Sequence, residues 1–283
     1  MEAFILCFLR IVLYTLGVVV ACGLAVEICY RLCFLLMGQK TGHRFWLLTS
    51  FVGAPVHEMG HALMCLLFAH RIEKIRLVPT RAGAPVVEHS YNKRNPYAVF
   101  GNLWISLGPM LLGIALTLAV LEWVYPTSMQ AYRTVLGALS GEGVLSEGLS
   151  VAVGQFLRGL LHESTRAWWV RLLAVVLLFC LSLHVRLSAS DAFGMLRGLP
   201  AYAVIAALVA LVVTLMGEGA QTVLTAKLHQ GAWLLASLFS LILLFGVVQL
   251  ALLLLYRLLL ALFRFLKSVR SYEADDDFDD EDE

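Results

Sequence analysis

Two histidines and a glutamate fall within five consecutive residues, His57-Glu58-Met59-Gly60-His61, in an otherwise apolar stretch of a 283-residue chain. On a helix, residues four apart share a face, so His57 and His61 can turn their imidazoles toward one metal ion while Glu58 stands beside a water on that ion. Two neutral imidazoles and a carboxylate, with one coordination position left for water, form a familiar catalytic zinc set, and zinc lowers the pKa of its water to about 7. The chemistry expected is hydrolysis, with Glu58 taking a proton from the water and passing it to a leaving amine. Inserting a carboxylate into such an apolar helix costs ~2.5–3.5 kcal/mol, which marks an ionisable residue there as functional.

A third ligand has to come from elsewhere in the chain. Asp191 is the sole aspartate before residue 275, and it follows an apolar stretch in Leu187-Ser188-Ala189-Ser190-Asp191-Ala192-Phe193-Gly194. Ser190-Asp191 ahead of Ala192 and Phe193 would also suit the N-cap of a following helix. His184, two helical turns earlier, competes for the ligand role, and Glu218 ranks third.

The elements that must hold these residues are membrane helices. The chain is 60% hydrophobic and 14% charged, and its mean hydropathy is +0.83, far from the composition of a soluble globular domain. A bilayer core needs about 20 apolar residues per helical span. Residues 98–121, 199–217 and 231–256 contain no Asp, Glu, Lys, Arg or His; 3–26 is interrupted only by Arg10, 45–69 only by the motif, and 168–185 is shorter. No run of alternating ten-residue segments suggests a barrel. The expected fold is an all-α polytopic membrane protein of about six transmembrane helices, forming one integral membrane domain over 1–271.

The densest basic loop, 71–94, holds Arg71, Lys74, Arg76, Arg81, Lys93 and Arg94, which places it in the cytoplasm. Alternating the spans then puts both termini in the cytoplasm, in a multi-pass protein expected in a bacterial plasma membrane. Arg257, Arg264, Lys267 and Arg270 agree, and the external loop 122–167 balances its bases with Glu122, Glu142, Glu147 and Glu163. Asp191 falls toward the cytoplasmic face, where the motif helix ends. Within 71–94, the alternation in 74–78 and 85–89 around Pro79-Thr80-Arg81-Ala82-Gly83-Ala84 predicts a β-hairpin. Leu149, Val153, Phe156, Leu157 and Leu160 recur at helical spacing, as in an amphipathic helix lying on the membrane surface.

Nine of the 20 acidic residues lie between Glu273 and Glu283. Such a run repels itself and buries little, so 272–283 is expected to be a disordered acidic tail with no chemistry. All six cysteines sit in or beside apolar stretches as small hydrophobes, without a disulfide framework. Val19-Val20-Ala21-Cys22 has no basic region before it and the apolar stretch continues past it, so the first helix is expected to stay uncleaved.

These residues together resemble the site-2 protease-like group of zinc intramembrane metalloproteases (M50-like). The resemblance rests on His57-Glu58-Met59-Gly60-His61 inside a span, the basic hairpin-like segment after it, Gly108-Pro109 in the next span, and Asp191-Ala192-Phe193-Gly194 after the following one. It implies a catalytic core over about 45–194, Zn2+ on His57, His61 and Asp191, Glu58 as acid and base, and a segment 72–96 that presents substrate as an extended strand. The chain departs from the family pattern at Leu112, commonly Asn, and at Leu187-Ser188-Ala189-Ser190, where an Asn-x-x-Pro element is usual; Asn102 is a candidate for the missing amide.

The function expected is a zinc-dependent endopeptidase acting on a membrane-embedded protein or peptide near the cytoplasmic face, with the lipid bilayer and no nucleic acid as partner. The alternative is a non-proteolytic scaffold or transporter that retains a metal site, but it gives no reason to keep Glu58. A metal transporter would need more interior ionisable groups than Glu27, His184 and Asp191.

Overall fold

A computed structural model describes residues 1–80, 83–140, 145–163 and 165–279, with side chains left aside at 138–150, 152–153 and 268–283. Arg81 and Ala82 at the hairpin tip, and the side chains of Glu142, Glu147, Leu149 and Val153, therefore lie outside the described residues.

Nine α-helices and one hairpin follow the chain among the described residues. Helix α1 (Glu2–Val12) continues through a π-helical turn, Leu13–Gly17, into α2 (Val18–Met37), making one rod. The motif lies on α3 (Gln39–Leu67). Strands β1 (Arg71–Arg76) and β2 (Val86–Ser90) pair antiparallel, with Ile75 opposite Val87 and a bulge between Ile72 and Lys74. Lys74 reaches Glu88 across the pair at 2.9 Å. Helices α4 (Pro96–Val124), α5 (Pro126–Ser140) and α6 (Leu145–His162) come next. The chain ends with α7 (Trp168–His184), α8 (Ala189–Leu215) and α9 (Glu218–Asp279).

Four helical stretches are long and apolar enough to cross a membrane: Glu2–Met37, Pro96–Val124, Ala189–Leu215 and Glu218–Lys267. The other two expected spans fall on α3 and α7. Helix α3 is long enough at 29 residues, but its polar motif dilutes its hydropathy, and α7 has only 17 residues. Helix α4 is central: 56% of its most apolar 18-residue stretch is buried, against 11% for the first rod. Its Leu103, Leu107, Met110 and Ile114 share one core with Val26, Leu181, Met195 and Phe239. All six cysteines are free thiols.

One expectation changes. The segment expected to lie on the membrane surface does form a helix, α6, but Phe156 is buried in a core with Tyr125, Met129 and Tyr132, and Ser128 on α5 donates to the Phe156 carbonyl at 2.8 Å. A partner helix, α5, covers part of the apolar face, at Phe156 and Leu160; its modest hydropathy hid it in the sequence. Helix α9 carries its backbone as far as Asp279, into the acidic stretch.

Candidate metal centre

Helix α3 passes α4 at backbone contact, and that approach sets the site. A Cβ on Gly60 would sit 2.5 Å from the Pro109 nitrogen and 2.6 Å from the Gly108 carbonyl, so only glycines let the two helices meet here. Pro109 has a second effect. It carries no N–H, so the Ile105 carbonyl four residues earlier has no intrahelical donor. His61 supplies one, its Nδ1 lying 2.8 Å from that oxygen. His57 uses the same device, with Nδ1 2.8 Å from the carbonyl of His184, the last residue of α7, whose oxygen is one of the helix's orphan acceptors. Both rings thus hold their proton on Nδ1 and turn a bare Nε2 inward, the tautomer in which histidine binds metal.

The two Nε2 atoms meet Asp191 from α8. His61 Nε2 lies 3.1 Å from Asp191 Oδ1 and His57 Nε2 lies 3.6 Å from Oδ2. Asp191 is also the third helical residue in a capping box: its Oδ2 accepts from the Ser188 N–H at 3.0 Å and from the Ser188 hydroxyl at 2.5 Å. Ser188, rather than the expected Ser190-Asp191 pair, is the N-cap. Capping leaves Oδ1 free to face His61, while Oδ2 is shared between Ser188 and the side of His57.

The three donors lie within 4.8 Å of one another. Four-coordinate zinc with bonds of about 2.0–2.1 Å separates its ligand atoms by roughly 3.3 Å. The observed 3.1 Å from His61 to Oδ1 and 3.6 Å from His57 to Oδ2 lie near that spacing, and both rings are already in the ligating tautomer, so the chemistry of the donor set suits zinc.

The donors open into a cavity of about 400 Å³. Glu58 lines it with 8% of its surface exposed, beside Pro85, Val86, Val87 and His89 of the hairpin and Arg197 of α8. The backbone of Val87 reaches the Glu58 carboxylate. The lining hairpin side chains all come from β2 and the residue just before it, so that strand forms one wall opposite the donors. Burial holds His89 at a pKa of about 4, so its ring is neutral.

Other predicted residues fall elsewhere. The His184 side chain faces Ser50 Oγ at 3.3 Å and the Cys180 carbonyl at 3.0 Å, so His184 serves the centre through its backbone. Asn102 donates to the carbonyls of Val99 and Ala98 in its own helix. Glu27 is paired with Arg31 at 2.8 Å and Arg186 at 2.7 Å, and Glu218 lies exposed in the first turn of α9. Sequence reading missed Ser188, His89 and the two carbonyls; Pro109 was the available signal for the Ile105 oxygen.

Residues 25–139 match the model of a family described as Peptidase M50B-like. The matched stretch contains α3, the hairpin and α4, and ends before Asp191. No curated protein and no solved structure matches the chain.

Proposed function

We propose that the chain is a zinc-dependent endopeptidase that cleaves a membrane-embedded protein or peptide near the cytoplasmic face, a reading supported by the match of residues 25–139 to the peptidase M50B-like family model. The observation that carries this reading is the convergence of His57, His61 and Asp191 donors within 4.8 Å, beside a buried Glu58, in a cavity with a strand for a wall.

His57, His61 and Asp191 are the residues that would hold the metal. When bound, zinc supplies Lewis acidity to a carbonyl and acidifies water to a pKa of about 7. Glu58 accepts the proton of the attacking water and returns it to the leaving amine, a role its place on the same helical turn as the two histidines suits. The carbonyls of Ile105 and His184 keep both imidazoles oriented. Strand β2 offers main-chain groups beside Glu58, and a substrate segment laid along it would be extended, exposing a peptide bond that a helix protects. The basic loop around the hairpin supports a cytoplasmic location for this wall.

Membranes from cells expressing the native chain or Glu58→Gln test this reading by comparing membrane-derived peptides. The expected result is one or more cleavage products present with the native chain and absent with the variant, at unchanged zinc content. Identical profiles at equal expression would move the reading to a metal-retaining scaffold.

A further inference from the structure

A second group of metal-ligating side chains lies beside the hairpin, apart from the first. Cys65 on α3, His70 in the turn after it and His89 on β2 place one thiol sulfur and two ring nitrogens within 4.8 Å of one another. Cys65 is 0% exposed and His70 5%. We propose that Cys65, His70 and His89 bind a second zinc ion that pins the hairpin to the end of the motif helix.

The geometry prepares His70 for this task. Its Nε2 lies 2.8 Å from the Ala98 carbonyl at the start of α4, which fixes the ring proton on Nε2 and leaves Nδ1 as a lone pair. That Nδ1 lies 3.0 Å from His89 Nδ1, close to the roughly 3.3 Å separating two imidazoles on tetrahedral zinc. The backbone carbonyl behind a ligand imidazole is the arrangement already seen at His57 and His61, with the ring reversed. Tyr91 stacks on His70 at 4.7 Å between centroids. Gly101 leaves room, since a Cβ there would sit 3.2 Å from His70 Nε2.

The turn that delivers His70 is a Schellman-type end of α3. Ala69 takes φ 57°, and the His70 N–H returns to the Cys65 carbonyl at 2.8 Å. Alanine rarely adopts the left-handed region, and here that conformation brings His70 back over Cys65. One thiolate and two imidazoles suit zinc, with a fourth position left for water or another ligand, and His89 also lines the first cavity. The simpler arrangement is a His70–His89 hydrogen bond over a thiol that acts as a small apolar group.

Bound there, zinc would hold β2 through Cys65, four residues beyond His61, to the helix that carries Glu58; that consequence rests on the proteolytic reading above, whereas the site itself does not. Full-length protein purified in detergent is the material for the test, with zinc per chain measured alongside cobalt substitution. The expected content is about two zinc per chain, falling to about one in Cys65→Ser and, independently, to about one in His57→Ala. Cobalt-loaded native protein should show a near-ultraviolet thiolate-to-metal band, which the thiol-free first site cannot give. That band should vanish in Cys65→Ser and in His89→Ala, so misfolding of one variant does not decide the matter. No band in the folded native protein, or a band that survives Cys65→Ser, overturns the second site. Zinc lost in Cys65→Ser but unchanged in His57→Ala supports the second site and overturns the first.

Discussion

At the scale of single residues, Asp191 connects folding to chemistry. One carboxylate oxygen caps α8 through Ser188 and the other faces His61. Ser188→Ala removes the hydroxyl that orients the carboxylate, so zinc affinity, measured by competition with a chelator, should fall about 10–100-fold, with about 1 kcal/mol of stability lost from the missing cap. Asp191→Ala removes the proposed third ligand and should release most of the zinc from this centre. Full retention in Asp191→Ala would return the third-ligand role to another group. The His57-Glu58-His61 set was legible because helical spacing alone places it on one face. Asp191 was legible by scarcity, as the lone aspartate before the acidic tail, and by its place at the end of the spans where the motif helix ends, while its capping partner was hidden because Ser188 and Ser190 are equally good caps on composition. Backbone acceptors such as the His184 carbonyl leave no trace in residue identity, which is why a competing side-chain role for His184 stayed open until the fold was known.

At the scale of elements, the crossing of α3 and α4 does two jobs with one dipeptide. Gly108 allows close approach to Gly60, and Pro109 withholds the N–H that would occupy the Ile105 carbonyl. Pro109→Ala restores that N–H, and Pro is about 3 kcal/mol less favourable than Ala inside a helix. The variant should therefore be at least as stable as the native chain, yet bind zinc about 10–100-fold more weakly, because His61 loses its acceptor to the repaired helix. Weaker binding with unchanged or raised thermal stability checks the argument; unchanged affinity would show that the Ile105 carbonyl does not orient His61. The hairpin could be read from alternation and turn residues, with ends shifted by a few positions. Helix α5 could not, since it is neither long enough nor apolar enough to stand out. The packed fate of α6 depends on α5 and was hidden with it.

At the scale of the whole molecule, the centre sits where three chain segments arrive at one end of the helices: the C-terminal half of α3, the hairpin after it, and the first turn of α8. Any topology must put these on the same side of the membrane, because Asp191 touches the motif histidines and β2 walls the same cavity. Chain direction then sends the start of α9, after the full length of α8, to the opposite side. The proposed function puts that side in the cytoplasm, a reading the basic residues around the hairpin favour. Lys93 and Glu218 are both exposed and belong to the two opposite ends, and five of the six native cysteines are buried, which keeps background labelling low. In intact cells a membrane-impermeant maleimide should label Glu218→Cys and leave Lys93→Cys unlabelled until the membrane is permeabilised. The reverse pattern would turn the whole molecule over and put the proposed cleavage at the outer face. Equal labelling of both positions in intact cells would mean that α8 does not cross, which would leave the motif histidines and Asp191 without the transmembrane frame that brings them together.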